Sequence, residues 1–178
     1  MTHSNPAENE LRRLLENAGT IALVGASSKD TRPSNAIMQV LLDAGFNVIP
    51  VTPRETEVLG QKAYPSLADV PHEIDIVDVF RRAEETPQIA RDAAARGVGT
   101  LWLQKGIENE EAAQIAKDAG INVVMNRCIG ETTLQFGIRK GPVRDRVDEA
   151  GWESFPASDP PTWGKVRPGG PVDDKADL

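Results

Sequence analysis

The sequence predicts an α/β fold built on a doubly wound parallel sheet of five or six strands, and three observations carry that expectation. Short apolar runs and helix-period segments alternate strictly from Thr20 to Met125. Each helical segment closes at a glycine, and the first apolar run, Thr20–Val24, leads through a small-residue basic loop straight into a helix start. Strands that are apolar throughout, rather than at every second residue, belong in a parallel sheet covered on both faces. Helices stopped by glycine and followed at once by the next strand fit right-handed crossovers between parallel strands.

Taken in order, Leu11–Asn17 has apolar residues at helical spacing and closes at Gly19. After strand Thr20–Val24, Gly25 lets the backbone turn away, and Pro33 with Ser34 marks the start of a helix that runs through Ile37–Ala44 to Gly45. Asn47–Val51 is the next strand, and Lys62–Tyr64 reads as a third, with Pro65 and Ser66 opening a turn. Ile74–Phe80 is a strand, Glu84–Ala95 a helix stopped by Gly97, and Thr100–Gln104 a strand. Glu108–Ala119 is a helix stopped by Gly120, and Ile121–Met125 the last strand. The helix-end signal Asp43-Ala-Gly-Phe-Asn-Val-Ile returns as Asp118-Ala-Gly-Ile-Asn-Val-Val, the reuse of one good helix stop and strand start. Beyond Ile138 the pattern ceases, which sets the expected domain at residues 11–138. Six of the thirteen prolines fall after Lys140, so residues 139–178 are expected to be an extended C-terminal tail of weak intrinsic order. Trp152, Phe155 and Trp163 within it suggest docking on the domain, on a second copy or on a protein partner.

A chain of 178 residues with a net charge of −7 does not read as a general nucleic-acid binder, whose affinity rests on clustered cations. One cysteine, Cys128, excludes an intramolecular disulfide framework and points to a reducing compartment. Neither a signal peptide nor an apolar run of about 18 residues is present, so the expectation is a cytoplasmic protein with no membrane contact.

The loop after the first strand carries the chemistry. The free N–H groups of the helix that follows face the loop, where an anion would sit. Ser27 and Ser28 add hydroxyls, and Lys29 and Arg32 add cations, beside Gly25 and Ala26. A dinucleotide fingerprint needs three glycines at fixed spacing, whereas only Gly25 is present, so the loop suits a phosphate-rich ligand held by side chains as much as by backbone.

Several ordered segments match a known family: Val24–Ser27 with Arg32–Ser34, Val48–Pro53, Val58–Leu67, Asp75–Arg82, Leu101–Ile107 and Asn126–Cys128. From about Leu11 to Ile129 the chain resembles the small bacterial CoA-binding proteins, single domains similar to the nucleotide-binding domain of the succinyl-CoA ligase alpha subunit. The resemblance implies a Rossmann-like domain that holds CoA or acyl-CoA, with the ADP moiety over the first loop and the strand ends. Two departures are Asn126, where that family commonly has an acidic residue, and the continuation Ile129–Thr133.

Ligands of an open parallel sheet bind beyond the carboxyl ends of the strands, which singles out the residues there. After the second strand stand Pro50, Thr52, Pro53 and Arg54, with no acidic residue for ribose hydroxyls; Arg54 suits the 3′-phosphate of CoA, the 2′-phosphate of NADP, or open solvent. Pro33 fixes the backbone beside Arg32. Phe80, Arg81 and Arg82 end the central strand, where an adenine or pantetheine edge would pass, although both arginines also have Glu84 and Glu85 within reach as ion-pair partners. Gln104 and Gly106 end the next strand. Cys128 is either a buried structural thiol or, with Arg127 lowering its pKa, a partner for the CoA thiol in a mixed disulfide. His3 and His72 lie in a terminus and a turn, so no triad or metal cluster is supported, and Asp75 and Asp78 fall on opposite faces of one strand. The reading is a non-enzymatic CoA-binding domain; the alternatives are an NADP-dependent oxidoreductase or a nucleotide-sensing regulatory module.

Overall fold

The computed structural model describes residues 3–140 of the chain, so the Pro-rich segment with Trp152, Phe155 and Trp163 lies outside the described residues. Five parallel strands form the main sheet: β1 (Thr20–Val24), β2 (Asn47–Val51), β5 (Ile76–Val79), β6 (Thr100–Leu103) and β7 (Asn122–Val124), in the order β2-β1-β5-β6-β7. The helices are α1 (Glu8–Asn17), α2 (Pro33–Asp43), α3 (Thr86–Arg96), α4 (Glu110–Asp118) and α5 (Ile129–Gln135).

Because the strands are apolar on both sides, the sheet carries two cores. On one face Val77, Val79, Leu101 and Leu103 pack with Ile89, Ala90 and Ala93 of α3 and with Ala112, Ala113 and Ala116 of α4. On the other, Ile21, Leu23, Ile76 and Trp102 pack with Leu11 and Leu15 of α1, Met38 and Leu41 of α2, and Ile129 of α5. Trp102 is fully buried and donates its indole N–H to the Arg127 carbonyl at 2.8 Å.

The helix stops at Gly45, Gly97 and Gly120 all have positive φ. Gly19 does not act in this way: α1 ends at Asn17 with Ala18 as its C-cap, and the N–H groups of Gly19 and Thr20 both donate to the Asp75 carboxylate. Upstream of Leu11 the chain is tied in, since Asn5 exchanges two hydrogen bonds of 2.8 Å with the Met125 backbone.

Two expected elements differ, and one helix is additional. Lys62–Tyr64 is not a strand of the main sheet; β3 (Glu57–Val58) and β4 (Gln61–Lys62) form a small antiparallel hairpin, and Tyr64 makes one isolated parallel bridge to Val51. Its two-residue turn, Leu59-Gly60, holds positive φ at both residues, a conformation usually announced by Asn-Gly or Asp-Gly, so Leu59 hid it. The expected helix from Glu84 is a 3₁₀ turn, Ala83–Glu85, followed by α3 with Pro87 in its first turn. Helix α5 was not expected at all. It forms because Gly130 lies against α2: a Cβ there would sit 2.8 Å from Ile37 Cδ1.

Candidate functional site

The winding of the sheet reverses between β1 and β5, its neighbouring central strands, and the crevice beyond their carboxyl ends is where such a sheet receives a ligand. Gly25 leaves β1 there with φ +92°, and a Cβ on it would lie 2.7 Å from the Phe80 carbonyl oxygen and 3.1 Å from Arg81 Cδ. Two backbones meet at this point, and only glycine lets them. Helix α2 then begins at Pro33 with an extended Arg32 before it, and no side chain caps its N-terminus. Pro33 has no N–H and the Asn35 N–H donates to the Arg32 carbonyl at 3.0 Å, so in the first turn the Ser34 N–H is the one left for an anion.

A cavity of about 530 Å³ opens at this edge. From the first loop and α2 it is lined by Gly25, Ser27, Arg32, Pro33, Ser34 and Ile37. Phe80, Arg81 and Arg82 line it after β5, Gln104, Lys105 and Ile107 after β6, and Cys128 and Glu131 at α5. Four cations and one carboxylate thus face it, in a chain whose net charge is −7. The local field attracts anions against the overall charge. A second cavity of about 360 Å³ lies alongside, with apolar walls from Val24, Val51, Pro53, Pro65, Leu67 and Ile89 and polar groups from Ser66, Glu85, Gln88 and Asp92. Gly25 and Arg81 line both cavities.

The cations are not equally free. Arg81 donates through Nε and Nη2 to Glu85 Oε1 at 2.9 and 2.6 Å, and Arg82 donates through Nε to Glu85 Oε2 at 3.0 Å. Those hydrogen bonds, from Arg81 first and Arg82 second, hold the Glu85 carboxyl below the usual range. The side chains of Arg32 and Lys105 have no hydrogen-bond or ion-pair partner among the described residues. In the loop, Ser27 Oγ accepts from the Lys29 N–H at 3.1 Å, and the Ser28 N–H donates to Glu55 at 3.0 Å. Hydrogen bonds to Ser28 keep the Glu55 carboxyl below its ordinary pKa.

At the far wall, Gln104 is buried and its Oε1 accepts from the Ile129 N–H at 2.9 Å, which fixes the start of α5. Cys128 caps that helix, its Sγ accepting from the Glu131 N–H at 3.5 Å, while facing the cavity at 8% exposure. Arg127 faces elsewhere: its guanidinium donates to Thr132, Glu8 and Gln135 at 2.8, 2.8 and 3.2 Å. Ala26, Ser28, Lys29, Pro50, Thr52, Arg54 and Gly106 line neither cavity. Thr52 is buried and its Oγ1 accepts from the Arg54 N–H, and the Gly106 N–H donates to Asn126. Ser34, Ile37, Lys105, Ile107 and Glu131 line the first cavity without having been singled out in the sequence. The uncharged residue beside Pro33 and the first residue after Gln104 were the signals available for two of them.

Residues 19–133 match the family model described as CoA binding domain. The chain belongs to this CoA-binding domain family. It is 40% identical over 125 residues to the uncharacterized protein YneT of Bacillus subtilis (strain 168), a match covering 70% of this chain and 93% of that protein. It is 30% identical over 130 residues to the ADP-forming acetate–CoA ligase II of Archaeoglobus fulgidus, covering 66% of this chain but only 19% of the ligase. Among solved structures, a hypothetical protein from Pyrococcus horikoshii OT3 superposes with a TM-score of 0.72 at 36% identity, over 76% of this chain and 99% of that one.

Proposed function

We propose that this chain binds CoA or acyl-CoA and performs no chemical step on it. The observation that carries the reading is the cavity beyond Gly25, where four cations and the uncapped start of α2 face one carboxylate. In this reading the diphosphate lies over Ser27 and the first turn of α2, with Arg32 beside it. The base reaches over Gly25 into the second cavity, whose apolar walls suit a flat ring, and the pantetheine runs past Phe80 and Gln104 toward Cys128. The family's description and the ligase relative's name support CoA as the ligand.

Support for binding without turnover comes from the side chains at hand. Neither His3 nor His72 lines either of these two cavities, and no cluster of three metal-ligating side chains occurs among the described residues. The single-glycine loop disfavours a nicotinamide dinucleotide, whose pyrophosphate approaches a glycine-rich backbone. Calorimetric titration tests the ligand: CoA binds and NADPH binds far more weakly, whereas equal or tighter NADPH binding refutes the assignment. Incubation with acetyl-CoA tests the absence of turnover, since release of free CoA thiol above the protein-free control would show a reaction.

A further inference from the structure

Gly25 has no side chain, so Arg81 is the one side chain common to the walls of both cavities among the described residues. Any ligand that enters both must pass its guanidinium. That guanidinium is held by Glu85 through two donors, and the same carboxylate takes Arg82, so one acid of single charge pairs with two of the four cavity cations. The grip is weak in free energy. Arg81 is 39% exposed and Glu85 29%, and a pair this open to water contributes roughly 0–1 kcal/mol. A phosphate offers the arginine an equally good two-point partner with more charge.

We propose that Glu85 is a latch on the phosphate site: it holds Arg81 between the two cavities in the free domain and surrenders it to a phosphate of the bound ligand, thereby setting the affinity for phosphate-bearing ligands. This rests on the CoA reading above. The carboxylate is not stranded by the exchange. Arg82 stays with it, and Glu85 sits at the N-terminal end of α3, where the helix dipole favours a negative charge. The arginine is not stranded either, because its Cδ already lies against the turn at Gly25 over which the ligand would cross.

The test is calorimetric titration of CoA into the wild-type chain and into Glu85→Gln, which keeps the side chain's shape and removes its charge. Removing a competing pair of about 1 kcal/mol is expected to tighten CoA binding roughly fivefold. Glu85→Ser, which offers a hydroxyl at the N-cap position of α3, is the second variant and is expected to show the same gain. In an Arg81→Ala background the gain should vanish. An equal gain in both backgrounds would mean that Glu85 acts as a diffuse charge, and this overturns the latch. Unchanged or weaker binding by both Glu85 variants overturns it too, while the CoA reading survives. Failure of the wild-type chain to bind CoA overturns the proposed function and the latch with it.

Discussion

Asp78 gives the sharpest test of the physical description. It stands in the middle of β5, in register with Leu23 on one side and Trp102 on the other, is completely buried, and makes no hydrogen bond through either carboxyl oxygen. Desolvation therefore pushes its pKa well above the usual carboxylate range, and the nearby Val79 N–H offsets only part of that. The sign follows from linkage. Below about pH 3.9 the carboxyl is protonated in both folded and unfolded chains, so Asp78 adds no pH dependence. Above that, the unfolded chain releases the proton and the folded one keeps it, so stability falls as pH rises until the folded carboxyl itself titrates. The loss is about 1.4 kcal/mol for each pH unit in that window. Asp78→Asn cannot titrate and removes the slope, whatever constant cost or gain its amide brings. Urea unfolding of both proteins from pH 4 to pH 7 measures it, because the other carboxylates cancel in the difference. The stability of the variant relative to wild type is expected to climb with pH. A difference that is flat or falls with pH would show a paired, ionised Asp78 and refute the reasoning.

Three further outcomes follow from the site. Arg32→Ala is expected to weaken CoA binding by about 1.5–3 kcal/mol in calorimetry, the size of a lost hydrogen bond to a charged group, with an unchanged thermal transition; retained affinity would make Arg32 a surface cation. Gly25→Ala forces a side chain into positive φ and drives its Cβ against the Phe80 carbonyl, so it is expected to lower stability by about 1–3 kcal/mol and to abolish detectable CoA binding. Arg127→Ala is expected to lower the thermal midpoint and leave CoA affinity unchanged, since its guanidinium is engaged by Glu8, Thr132 and Gln135; weakened CoA binding would put Arg127 in the site.

The fold was most legible where a short apolar run met a clear stop. Thr20–Val24 and Asn47–Val51 form strands with the expected bounds because each is an apolar run next to a glycine that the chain must turn at. It was least legible where tertiary contact outweighs local preference. Ile129-Gly-Glu-Thr-Thr holds a glycine and two β-branched threonines, all poor helix formers, and becomes α5 only because Gly130 fits against Ile37 and Cys128 caps the first turn. Arg81 shows a related limit. Its place at a strand end and its reach to Glu85 could both be read, but its position between two cavities depends on how Gly25 approaches β5.

The charge at the site explains why composition alone misleads about the ligand. A net charge of −7 argues against long polyanions, which meet the whole surface and are repelled by it. A small phosphate ligand meets only the edge of the sheet, where Arg32, Arg81, Arg82 and Lys105 arrive from three separate strand ends. Those residues are up to 73 positions apart, so no window of the sequence displays them as a basic patch. The same chain folding that gathers the cations also brings Glu55 to the Ser28 N–H and Glu85 to Arg81 and Arg82. Without a ligand, Arg81 and Arg82 already hold a carboxylate of the chain itself, while the Arg32 and Lys105 side chains have no such partner among the described residues. Affinity for a phosphate ligand is then a difference between two anions competing for the same arginine, so neutralising Glu85 is expected to tighten binding, by less than removing Arg32 weakens it.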